Sequence, residues 1–165
     1  MKSNASFGCS KLAGYRVGTT YCLSPSVSIS SFTEVPPVSS LYQLPGTKPW
    51  VLGAAKNRKD LTTYFNLAQF LGLPNADSRD HKKESSPALV LEDITGSGSF
   101  GLKVDELLGL IPINKIEDVD DPDISIPIGF GSCLCGVVRA EGRLWALIDL
   151  HTLAGDERLH KIDLT

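Results

Sequence analysis

Short apolar runs separated by Gly, Pro and polar turns recur along the whole chain, and no long segment repeats its apolar positions at the helical period. This pattern predicts an all-β fold, a barrel or a sandwich. Residues 15–23 predict a hairpin turning at Gly18-Thr19. Residues 50–55 and 61–67 predict another around the polar turn Lys56-Asn57-Arg58-Lys59-Asp60. Residues 134–139 and 144–150 predict a third, and the Gly of Ala140-Glu141-Gly142-Arg143 suits its loop. Residues 88–93 and 100–105 form a further pair, in which Phe100, Leu102 and Val104 alternate with Gly101, Lys103 and Asp105 as in a half-buried strand. Residues 24–35 stay open: their Ser and β-branched residues are weak helix formers, yet Val27, Phe32 and Val35 suit a short amphipathic turn. Pro36-Pro37 ends that stretch. Leu52, Leu61, Phe65, Leu67, Val104, Leu144, Ile148 and Leu150 are the expected core, with Trp50 and Trp145 as core or seam residues.

Two of these hairpins resemble each other. Residues 53–72 lie on residues 136–155 at a constant offset of 83, since 136 − 53, 150 − 67 and 155 − 72 agree. Leu61 then matches Leu144, Leu67 matches Leu150, and Asn66 falls on Asp149. Each copy runs from turn to strand to a short helical cap. A duplicated small barrel is the natural reading, with the polar stretch 75–86 as linker.

Composition narrows the function more than the fold. A chain of 165 residues is one domain or two very small ones, long enough to build a core without metal or disulfide. A net charge of −3 gives no electrostatic reason for binding nucleic acid or an anionic membrane. No apolar run reaches the roughly 20 residues needed to cross a bilayer, so no direct membrane insertion is expected. Residues 1–12 carry lysines without an apolar stretch, unlike a secretory signal, and the expected location is cytoplasmic.

The candidates for chemistry are thin. Cys9, Cys22, Cys133 and Cys135 are too unevenly spaced for a disulfide framework, and alternation would put Cys133 and Cys135 on one strand face as small buried hydrophobes. Gly96-Ser97-Gly98-Ser99-Phe100-Gly101 is a literal G-x-G-x-x-G, but a dinucleotide site needs a helix next, and here a strand pattern follows. Glu117, Asp118, Asp120, Asp121 and Asp123 cluster without the Gly and Glu of a calcium loop. His81, His151 and His160 have no metal-binding spacing, and no nucleophile elbow is present. The expectation is a protein without catalytic residues, cofactor or metal. The alternative from another class is a small β-barrel enzyme or metal-binding domain using the thiols and histidines.

The stretch Leu44-Pro45-Gly46-Thr47-Lys48-Pro49-Trp50-Val51-Leu52-Gly53, with the hairpin and cap that follow it, resembles the signature of CheW-like domains. The Gly101–Asp105 strand and the closing hairpin at 136–150 fall in that family's order, so the resemblance covers roughly residues 15–155. The wording around Trp50, and the ending Leu-Trp-Ala-Leu-Ile-Asp-Leu-His-Thr-Leu-Ala, are most similar to the PilI branch, which serves type IV pilus and twitching-motility chemosensory systems. The resemblance implies two SH3-like five-stranded β-barrels with short helices, roughly residues 15–74 and 87–155, between an N-terminal tail at 1–14 and a C-terminal tail at 156–165. It implies an adaptor without catalysis. One surface would pair with the regulatory domain of a CheA-type histidine kinase. An apolar groove between the barrels would take the cytoplasmic tip of a methyl-accepting chemoreceptor. Arg58 falls on the family's motif Arg, Glu34, Pro45 and Gly53 match other family positions, and Lys59 sits in the same turn where the motif has Gly. The chain also departs from the motif at Lys56 for Asn, Thr63 for Pro and Asn66 for Asp.

Overall fold

The computed structural model of the chain describes residues 10–43, 46–57, 60–73, 86–92, 98–120 and 122–157. Within them lie strands β1 (Lys11–Val17), β2 (Thr20–Pro25), β3 (Ser31–Val35), β4 (Val51–Asn57), β5 (Asp60–Asn66), β6 (Ser86–Glu92), β7 (Ser99–Lys103), β8 (Glu106–Pro112), β9 (Glu117–Asp118), β10 (Leu134–Ala140) and β11 (Arg143–Ile148). Two short helices, α1 (Leu67–Phe70) and α2 (Leu150–Ala154), follow β5 and β11. The hairpins expected at 15–23, 50–67, 88–105 and 134–150 are all present. β8 was not foreseen, because it packs at a sheet edge and its burial does not alternate. In residues 24–35 a single 3-10 turn forms at Ser26–Ser28, which holds Val27 alone of the three apolar positions, and Phe32 and Val35 lie on the strand β3 that follows.

The strands form two sheets, ordered β8-β1-β2-β11-β10-β9 and β3-β6-β7-β5-β4. Their first five strands correspond one to one. From β8 or β3 inward, the successive pairings are antiparallel, antiparallel, parallel and antiparallel in both. β9 extends one sheet beyond β10, and a single bridge from Tyr42 to Ala54 takes that place beside β4. The all-β expectation of two SH3-like subdomains with short helices is therefore met.

The sheets do not divide the chain at 75–86, however. β1 and β2 sit in the sheet otherwise built from residues 106–148, while β6 and β7 join strands from residues 31–66. The repeat runs from β1 to α1 and again from β6 to α2, but each copy gives its first hairpin to the other's sheet. A hairpin has two free edges, and alternation names its buried face without naming the strand that accepts its edge. The linker residues 75–85, both tails' ends, Cys9, His81 and His160 lie outside the described residues.

The two copies agree in detail. The β4–β5 ladder slips between Val51 and Gly53, and the β10–β11 ladder between Leu134 and Gly136, again 83 apart. Gly53 and Gly136 have φ of 139° and 155°, which L side chains rarely adopt. At Gly53 a Cβ would also lie 3.0 Å from both the Leu41 Cβ and the Tyr42 carbonyl. Asn66 Oδ1 accepts from the Gln69 amide and caps α1, as Asp149 Oδ1 accepts from the His151 and Thr152 amides and caps α2. Asn thus performs the capping role that the family's Asp would have, since both are strong N-cap residues.

Alternation assigns each strand's two faces to different cores. Tyr64 and Leu147 point into small cores belonging to one sheet each, with Val35, Leu41 and Ala88 around the first and Leu12, Leu23, Val138 and Trp145 around the second. Phe65 and Ile148, one residue on, point instead into a large core shared by both sheets. Tyr15, Cys22, Leu89, Leu102 and Phe130 fill that shared core, and Leu67, Phe70, Leu150 and Leu153 of the two helices close it. Inside it the Ser24 hydroxyl donates to the Ile148 carbonyl at 2.8 Å, so the Tyr15 hydroxyl is the donor in its 2.8 Å bond to Ser24 Oγ.

Of the expected core, Phe65, Leu67, Val104, Ile148 and Leu150 are buried. Leu52 and Leu144 are half-buried, and Leu61 is 52% exposed near the β4–β5 turn, because alternation gives a residue's face but not its depth. Trp145 is buried and donates its indole N–H to the Ala140 carbonyl, while Trp50 is half-buried edge-on against Phe70. Cys133 is buried but Cys135 is exposed. The expectation of one shared face fails because Cys133 precedes the strand and the ladder slip at 134–136 interrupts alternation.

Candidate functional site

The connection from β2 to β3 crosses from one sheet to the other. The Ile29 amide closes the 3-10 turn onto the Ser26 carbonyl at 3.1 Å, and the Ser30 amide donates to the Val90 carbonyl of β6 at 2.8 Å. This geometry sends Ile29 into the shared core and turns Val27 outward, where it is 70% exposed. A cleft of about 540 Å³ opens beside it, lined by Val27, Ser28, Ser30, Leu91, Glu92, Leu150, His151 and Ala154. Leu91, Leu150 and Ala154 are buried members of the shared core and back the cleft from beneath, while the surface it exposes is mostly polar.

The α2 wall is fixed by its cap. Burial alone would raise the Asp149 carboxyl, but hydrogen bonds from the Thr152 hydroxyl and from the Thr152 and His151 amides outweigh it and hold the group below its ordinary value. The cleft thus sits between a crossing segment of one repeat and the end helix of the other. Its exposed chemistry is that of a binding surface: one apolar side chain at Val27, two hydroxyls, one carboxylate and one imidazole.

Glu34 is exposed on β3, four residues beyond Ser30 and not among the residues lining the cleft. Gly53 is buried on β4, at the opposite end of that sheet's strand order, where it shapes the ladder slip. Their neighbours Val35 and Leu52 nevertheless meet in the same small core. Pro45, Arg58 and Lys59 lie outside the described residues. Sequence reasoning did not single out the exposed Glu92 or His151. The one available signal was Val27, an apolar residue set between serines in a Pro-initiated turn.

Gly96 and Ser97 of the G-x-G-x-x-G lie outside the described residues; the part described, Ser99–Lys103, is a strand where a dinucleotide site needs a helix, and a Cβ on Gly101 would run into the Tyr64 ring. Burial pushes the Cys133 thiol up to about 11 and raises Cys22 further, conditions that suppress thiolate chemistry. Among the described residues no group of three or more His, Cys, Asp or Glu is placed to hold a metal ion. No helix among them is long and apolar enough to cross a membrane.

The family model for the CheW-like domain matches residues 14–158. Protein PilI of Pseudomonas aeruginosa is 27% identical over 143 residues, which cover 86% of this chain and 73% of that protein. The crystal structure of the scaffolding protein TtCheW from Thermoanaerobacter tengcongensis superposes with a TM-score of 0.65, at 20% identity, over 88% of this chain and 92% of that one. With a family match running from β1 to the end of α2, the chain belongs to the CheW-like domain family.

Proposed function

We propose that this protein is a non-enzymatic adaptor that couples a methyl-accepting chemoreceptor to a CheA-type histidine kinase, in a cytoplasmic chemosensory pathway of the type IV pilus kind. The observation that carries the reading is the cleft between the two halves, where Val27 stands 70% exposed over a wall backed by the shared core at Leu91, Leu150 and Ala154. An amphipathic helix laid into such a groove buries its apolar face there. In this reading the receptor tip occupies the cleft and packs on Val27. The likeness to PilI supports the pilus branch, and the family match supports the adaptor role.

Such a protein works by geometry. Weak contacts to kinase and receptor made at once act multivalently, so modest interfaces assemble an ordered array. A receptor signal passes only if the receptor's two states bind the adaptor–kinase unit with different affinity. The test is binding of the kinase regulatory domain and of the receptor's cytoplasmic fragment to the purified chain. Saturable binding of both is expected, and Val27→Asp should weaken the receptor fragment alone. Failure of either partner to bind at tens of micromolar, a generous limit for a transient interface, rejects the adaptor reading.

A further inference from the structure

The correspondence between the sheets supplies an internal control for the cleft. Glu92, the last residue of β6, pairs with Ser99, while Arg16 of β1 pairs with Tyr21. These are equivalent places, since each lies one step from the residue, Phe100 or Cys22, that follows its partner in the corresponding strand. In the half that carries Arg16, the cation is answered from within the chain. Its Nε lies 3.1 Å from Glu106 Oε1 of the adjoining β8, and its Nη1 donates to the Gly18 carbonyl at 2.6 Å. At the cleft the charge is reversed. Glu92 is exposed and has no ion-pair or hydrogen-bond partner among the described residues. The crossing segment beside it, which corresponds to the one that carries Glu106, offers Val27, Ser28 and Ser30, none of them a cation. His151 is the other titratable side chain lining the cleft.

We infer that the element docking in this cleft carries an arginine or lysine beside its apolar contact, and that Glu92 pairs with it across the interface as Glu106 pairs with Arg16 within the chain. The inference rests on the receptor reading above and adds the charge that the docking tip must present. A carboxylate beside the exposed Val27 fixes orientation and register, because a helix inserted the wrong way round would leave both charges without partners. It also makes association depend on ionic strength, since a rim pair is screened by salt.

The experiment uses the full chain and the receptor's cytoplasmic hairpin fragment, with affinity measured at low and at 0.5 M salt for the unaltered chain, Glu92→Gln, Glu92→Arg and Val27→Asp. Glu92 is exposed at a strand end, so its variants should fold as the parent does, which circular dichroism checks. Expected are a loss of about tenfold or more for Glu92→Arg, a smaller loss for Glu92→Gln with a flatter salt dependence, and rescue of Glu92→Arg by reversing one basic residue of the fragment to Glu. If Val27→Asp weakens binding while both Glu92 variants stay within twofold of the parent, the charge pair is overturned and the receptor reading stands. If Val27→Asp is also without effect, the cleft is not the docking site and both fall.

Discussion

Asp149 shows how one side chain fixes both a fold and a site. Its carboxylate accepts from two amides and one hydroxyl at the start of α2, the helix that walls the cleft. Asp149→Ala should cost about 1 kcal/mol of stability, the usual loss for a helix cap, and Asp149→Asn less, as read by urea unfolding. Because this carboxyl is held below its ordinary value, its contribution is complete above the ordinary carboxylate range and fades as pH falls through the lowered value. The Asn variant should lack that part of the acid sensitivity, and an unchanged pH profile would count against the capping role. The thiols differ in a similarly readable way. Burial raises all three thiols, but Cys135 alone of them is exposed, so iodoacetamide at pH 8 should label Cys135 in the native protein well before either buried thiol. Peptide mapping checks the order, and early labelling of Cys22 would contradict the packing described.

At the level of elements, the hairpin–cap unit recurs with its ladder slip, its glycine and its cap at the same offset. The two glycines make a matched pair for mutation. Both need positive φ, but only Gly53 also has the Leu41 Cβ and Tyr42 carbonyl at 3.0 Å from where a Cβ would sit. Gly136→Ala should therefore cost about 1 kcal/mol and Gly53→Ala about 2 kcal/mol or more, measured by thermal or urea unfolding. Equal losses would mean that backbone strain alone governs both. These hairpins were legible in the sequence because turn residues and alternation act locally, and the offset of 83 made the repeat visible without coordinates. β8 and the exposure of Leu61 were not legible, since edge position and depth depend on what lies across the sheet. The same limit hid the cleft. Leu91 and Leu150 carry ordinary core patterns and are buried, and only the crossing at 26–30 makes the cleft beside them and exposes Val27.

The exchange of first hairpins ties the two copies into one folding unit. Neither copy holds a complete sheet, because β1 and β2 depend on β11 and β8, and β6 and β7 depend on β5 and β3. A chain cut within 75–85 should yield two fragments that stay largely unfolded apart, since an isolated hairpin is marginal in water, and that regain strand content when mixed. Independent folding of either fragment, seen by circular dichroism or NMR dispersion, would contradict this pairing. For an adaptor the arrangement has a direct use: a partner in the cleft touches a crossing segment of one copy and the end helix of the other, so the docking surface exists only in the fully assembled fold. The most direct test of the adaptor claim is kinase autophosphorylation in a reconstituted mixture of receptor fragment, CheA-type kinase and this chain. The chain should make kinase activity respond to the receptor, and Val27→Asp should abolish that response while leaving kinase binding intact. Kinase activity that ignores the chain, or responds equally well to the Val27→Asp variant, would contradict it.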